Sequence, residues 1–135
     1  MAGVAAWVAS PSPVCRPWQA EGMTQSIPEV DVGGVPQEIP SATTVLDVRE
    51  DIEWSAGHIE GSVHIPLMQV PGRVAELPAD GQLLVVCKVG ARSAQATAYL
   101  NAQGVDAVNL AGGLVAWARA GRPLVSDGPG DPWVA

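Results

Sequence analysis

An α/β fold with a mostly parallel central sheet is predicted by three features of the sequence. Short apolar runs alternate with segments of helical spacing. The clearest run, Gln82–Val86, shows no polar alternation after Gln82, as expected of a parallel strand covered on both faces. Gly and Pro then punctuate the boundaries between runs. Together these predict a mostly parallel sheet flanked by helices.

Each element has its own warrant. Val45-Leu46-Asp47-Val48 suits a strand, as do Val105–Leu110 and the shorter Val63–Ile65. Pro71 is placed to open a short helix that turns Val74 and Leu77 inward. Ser93–Gln103 reads as a helix with Ala96, Tyr99 and Leu100 on one side, capped by Ser93 and ended by Gly104. Leu114, Trp117 and Ala118 repeat that spacing, and Gly121 and Pro123 stop the last helix.

The chain has 135 residues, the length of one domain with an independent core. It is 47% hydrophobic and 16% charged, which excludes general disorder. With no Phe and one Tyr, that core must be aliphatic. No apolar run approaches the ~20 residues of a membrane span. Two cysteines make no disulfide framework and two histidines no dedicated metal site, so neither metal nor cofactor is expected.

Charge is unevenly distributed within the net −7. Between positions 29 and 60, Glu29, Asp31, Glu38, Asp47, Glu50, Asp51, Glu53 and Glu60 stand against Arg49 alone. From Gly61 onward acids and bases balance. Nothing forms the basic face of a nucleic-acid binder. The only lysine, Lys88, follows a cysteine.

Residues 1–26 differ from the rest. Met1–Ala9 has no positive charge, which argues against a secretory signal, and Pro11, Pro13 and Pro17 break regular structure. The segment reads as a flexible tail, or as sequence upstream of a start at Met23, with Cys15 incidental. Residues 27–125 form the domain, and the Gly/Pro-rich 126–135 is expected to be loose. A cytoplasmic monomer follows as the expectation.

Chemistry concentrates where the best strand ends. Ligands of open α/β sheets bind beyond the carboxyl ends of the strands. Gln82–Val86 runs into Cys87-Lys88-Val89-Gly90-Ala91-Arg92-Ser93, and a helix follows. This order places a thiol on the floor of a tight loop, under backbone N–H groups and the positive end of a helix dipole. A free cysteine has a pKa of ~8.5, and such surroundings lower it, as would Lys88 and Arg92. Gly90 lets the loop close without a Cβ. Buried filler is the bland alternative, since cysteine is often packed inside. Seven consecutive residues of this kind favour a reactive thiol.

These residues resemble a single-domain rhodanese. The resemblance rests on Asp47-Val48-Arg49, Trp54 with Gly57-His58-Ile59-Glu60-Gly61-Ser62, and Ile65-Pro66. It continues through Cys87–Ser93 to Gly112-Gly113 and Trp117. It spans about residues 27 to 125, with the blocks in family order, and implies a mostly parallel central sheet of about five strands flanked by helices on both faces. It implies sulfur transfer: Cys87 takes a sulfane sulfur from a small anionic donor such as thiosulfate, becomes a persulfide, and passes it to cyanide, a thiol or a protein. Amides of Lys88, Val89, Gly90, Ala91, Arg92 and Ser93 would stabilise the terminal sulfur anion. Lys88 and Arg92 would attract the donor, or Arg92 would brace the loop through carbonyls.

The other blocks carry milder expectations. Asp47 is expected to form a structural ion pair or brace, and Arg49 to contact a donor anion. His58 is expected to organise a loop, because a thiolate needs no general base. His58, Glu60 and His64 make a poor case for zinc. Gly112-Gly113 permits close backbone packing, and Trp54 and Trp117 pack. Cysteine phosphatases place five residues between Cys and Arg, whereas Cys87 and Arg92 enclose four, and Val86 stands where their histidine commonly sits. A disulfide reductase would need a second thiol near Cys87, and position 90 is glycine. A rhodanese-like module for protein interaction or sulfur relay, without small-molecule turnover, is the remaining alternative.

Overall fold

A computed structural model describes residues 27–78 and 80–135. The expectations for 1–26, including Cys15 and Met23, lie outside the described residues. Five strands form one sheet: β1 (Glu29–Val30), β2 (Thr43–Asp47), β3 (Val63–His64), β4 (Gln82–Val86) and β5 (Ala107–Leu110). Their order is β1-β5-β4-β2-β3, and every pairing is parallel. Three α-helices lie between strands, α1 (Asp51–Ala56), α2 (Val70–Arg73) and α3 (Ala91–Ala102), and α4 (Gly113–Arg119) follows β5.

The strand pattern explains the two-sided core. Side chains alternate across a strand, so Leu83, Val85 and Cys87 join one apolar cluster, and Leu84 and Val86 the other. The first is closed by Val70, Ala96 and Leu100 from α2 and α3; the second by Leu114 and Trp117 of α4. A sheet buried on both faces needs unbroken apolar strands, as Gln82–Val86 shows.

Local chemistry and packing depart from expectation in four places. β1 is two residues long, too short to leave a periodic signal. α1 buries no residue, so it too lacks an apolar stripe, although its Glu50 N–H donates to Glu53 in a capping box. α3 begins two residues earlier than Ser93: its cap is Gly90, with φ +103°, and Ser93 is buried in the first turn. A left-handed glycine supplied the turn that a serine cap was expected to make.

The tail 126–135 is held rather than loose. Asp127 N–H donates to the Ser55 carbonyl (3.1 Å) and Trp133 N–H to Ala56 (3.0 Å). Val134 packs against the second core cluster. Gly57 makes this approach possible, because a Cβ there would strike the backbone of Trp133. Apolar contact and backbone pairing thus outweigh the Gly/Pro composition.

Candidate active site

Register brings the site together. Asp47 pairs with Val86, so the ends of β2 and β4 lie side by side, and Val48 N–H donates to the Val86 carbonyl at 3.1 Å. Cys87 leaves β4 on the face covered by α3. Its Sγ accepts from Gly90 N–H at 3.1 Å and Ser93 N–H at 3.3 Å, and lies 3.4 Å from Ser93 Oγ. On the other side of the loop, α4 takes the carbonyls. Leu114 N–H donates to Cys87 O (2.9 Å) and Val115 N–H to Lys88 O (3.0 Å). That contact needs Gly113, whose φ is +60° and whose added Cβ would meet the carbonyls of Lys88 and Cys87.

Electrostatics at the sulfur are a contest. Burial pushes the Cys87 thiol up, because charge is costly away from water. The Ser93 hydroxyl and the amides of Ser93, Gly90 and Arg92 favour the anion, and their sum holds the thiol below its ordinary value. Cys87 itself is only 1% exposed. Lys88, Val89 and Ala91 of the same loop are exposed.

A buried polar chain lies behind the thiol. Ser93 Oγ is 2.5 Å from Asn109 Oδ1, and Asn109 Nδ2 donates to Glu29 (2.9 Å) and to the Gly90 carbonyl (3.3 Å). With its amide nitrogen facing two acceptors, Asn109 must present oxygen to Ser93. The single serine proton therefore serves Asn109 or Cys87, and not both at once.

A model of the rhodanese-like domain family matches residues 36–120. The chain belongs to the rhodanese-like family. A sulfurtransferase of Allochromatium vinosum is 40% identical over 101 residues, covering 73% of this chain and 94% of the relative. Thiosulfate sulfurtransferase GlpE of Pseudomonas fluorescens is 32% identical, covering 62% and 78%. Among solved structures, a rhodanese-related protein from Thermoplasma volcanium superposes with a TM-score of 0.68 at 34% identity, covering 72% and 96%. A probable adenylyltransferase/sulfurtransferase of Mycobacterium tuberculosis is 43% identical over 82 residues, covering 58% of this chain and 21% of the relative.

Within this rhodanese-like fold both arginines near the thiol are paired with carboxylates. Arg49 is fully buried and forms a forked pair with Asp47, Nε to Oδ1 at 3.0 Å and Nη2 to Oδ2 at 2.9 Å. Its Nη2 also donates to Gly57 O at 2.6 Å, while Nη1 finds no acceptor among the described residues. A donor contact at Arg49 gives way to a brace, because the neighbouring carboxylate claims the guanidinium and no surface remains for an anion. Arg92 bonds no loop carbonyl among the described residues. It pairs with Glu53 of α1 at 2.8 and 3.0 Å. Arg92 in turn holds the Glu53 carboxyl at about 2, and the Glu50 N–H adds to that effect against the opposing influence of burial.

The histidines organise backbone. His58 Nδ1 lies 2.8 Å from Trp54 O and its ring stacks on Trp54 at 3.6 Å. His64 Nε2 lies 2.7 Å from Arg49 O, and its ring also stacks on Trp54, at 4.8 Å. Trp117 donates from Nε1 to Pro123 O at 2.9 Å and is buried. Sequence reading passed over Glu53 and Asn109. Asn109 did leave a signal, a lone polar side chain in the apolar run 105–110, where burial demands partners. Glu53 left only its spacing from Glu50, and its partner lies 39 residues away.

Proposed function

We propose that this chain is a sulfurtransferase that works through a Cys87 persulfide. The single observation that carries the proposal is the sulfur cradle: two amides within 3.3 Å of Sγ and a thiol held below its ordinary pKa. Family membership and relatives named sulfurtransferase supply the reaction class.

The chemistry balances in two displacements. The Cys87 thiolate attacks the outer sulfur of thiosulfate; the S–S bond of the donor breaks, and sulfite leaves with the electron pair. The persulfide anion now carries its charge on the terminal sulfur, where amide donors act as an oxyanion hole acts on oxygen. Cyanide or a thiolate then attacks that terminal sulfur, and the Cys87 thiolate is regenerated. No proton needs to move in the first step once the thiol is ionised, so no general base is required. Lys88, Val89, Gly90, Ala91, Arg92 and Ser93 form the loop, with Asp47, Arg49 and His58 as braces behind it. The proposed domain runs over residues 27–125 with 126–135 packed back onto it, and the acceptor is a thiol, cyanide or a protein.

Intact mass spectrometry tests the proposal, with millimolar thiosulfate or a persulfidated peptide as donor. A gain of one sulfur atom that cyanide removes, and that Cys87→Ser lacks, is expected. A wild-type protein left unmodified by both donors would overturn the reading in favour of an interaction module, to which the 1% exposure of Cys87 would then point.

A further inference from the structure

Three cations follow strand ends at the mouth: Arg49 after β2, Lys88 and Arg92 after β4. Two are cancelled. Arg49 is inaccessible and paired with Asp47. Arg92 is held in a two-pronged grip by Glu53, whose carboxyl stays ionised down to about pH 2. Lys88 is exposed and makes no ion pair with the described residues. Against it stand Glu50 and Asp51, both exposed at the start of α1, on a chain of net charge −7. An anion-transfer site built for a dianion would keep its arginines free, since a bidentate guanidinium is the strongest available partner for such a group. Here a carboxylate occupies that fork.

The same rim also carries exposed apolar side chains. Ile52, Met68 and Val89 are 77%, 83% and 58% exposed. They follow the carboxyl ends of β2, β3 and β4, which are neighbours in the sheet. Parallel strands about 4.8 Å apart put these ends on one edge of the molecule, around the Cys87 loop. Large apolar side chains collected beside a reactive group mark a contact surface.

We propose that Glu53 is a specificity residue: by neutralising Arg92 it turns the site away from dianionic thiosulfate and toward a cysteine persulfide presented on an apolar-flanked polypeptide. The inference rests on the sulfurtransferase reading. A persulfide carries at most one negative charge, so it meets less repulsion than thiosulfate. The exchange is isoelectronic. The Cys87 thiolate attacks the outer sulfur of R–S–S⁻, the donor S–S bond breaks, and R–S⁻ leaves with the pair. One sulfane sulfur changes carrier, with no oxidant or reductant consumed.

Single-turnover loading of Cys87, read by intact mass, tests the inference with two probes: thiosulfate and a persulfidated Leu-Cys-Leu peptide. The wild type is expected to load from the peptide at least about tenfold faster, a modest share of the range that charge steering spans. Its thiosulfate rate is expected to rise with ionic strength, because salt screens repulsion. Glu53→Gln is expected to raise the thiosulfate rate about three- to tenfold at low salt and to flatten that salt dependence. A wild type that loads from thiosulfate as fast as from the peptide, or whose thiosulfate rate falls with salt, overturns the inference without any variant. So does a folded Glu53→Gln protein with an unaltered thiosulfate rate. Loading from neither probe would instead sink the sulfurtransferase reading itself.

Discussion

The site has two halves of different construction. The cradle, Cys87 to Ser93, is local and made of backbone: amides from within seven residues point at one sulfur. The clamp, Asp47 to Glu53 with Arg92, is made of side chains from separate elements that cancel each other's charge. Backbone dipoles stabilise an anion at fixed range wherever the loop can close. Side-chain cations do so only if nothing else claims them. In the proposed sulfur transfer, the cradle would set reactivity at the sulfur and the clamp would set which charged donors approach it.

The largest expected effect separates the two ion pairs of the clamp. Arg49→Ala leaves Asp47 buried without its partner and should cost about 3–5 kcal/mol. Arg92→Ala breaks a partly exposed pair, worth about 1 kcal/mol at most. Urea denaturation of both variants checks this, and equal losses would erase the distinction between brace and gate. Next in size is Gly113→Ala. A methyl there collides with the carbonyls of Cys87 and Lys88 at a positive φ, which should cost about 1–3 kcal/mol and disturb loading at Cys87.

Two further outcomes concern the thiol. Ser93→Ala removes one donor from the sulfur, so iodoacetamide alkylation at pH 7 should slow about three- to tenfold, the share of one ordinary hydrogen bond. Asn109→Ala frees the serine proton for Cys87 and should move the alkylation pKa downward. In a Ser93→Ala background the same substitution should move it little. Equal shifts in both backgrounds would mean that Asn109 acts only through the loop carbonyl.

The smallest effect is acid dependence. The carboxyl of Glu53 sits at about 2 in the fold against an ordinary 4.5. A lowered folded-state pKa adds stability above the unfolded value and loses it as pH falls through the folded one. The clamp contribution should therefore be whole at pH 7, decline from about pH 4.5, and vanish near pH 2. Denaturation midpoints of wild type and Glu53→Gln should converge over that window.

The cradle was legible because its determinants are consecutive. A strand that is aliphatic after Gln82, a thiol, a glycine and a helix start lie within hydrogen-bond range of one another, and Gln82–Val86 and the Cys87 loop fold as their order suggests, except that Gly90 and not Ser93 caps the helix. Elements with little buried apolar area were not legible: α1 buries no residue, β1 is two residues long and buries neither, and the tail is fixed by contacts at residues 55–58.

From its sequence alone the chain was assigned an α/β sheet, a family resemblance and a nucleophile, since hydrophobic period and local spacing act through neighbours in the chain. Only the tertiary structure decided where charge ends up. Arg92 could have faced a donor, a carbonyl or a carboxylate, and the choice fell to Glu53, a residue 39 positions away that parallel strand pairing carried alongside. Electrostatic partnership depends on distance in space, which a sequence does not record.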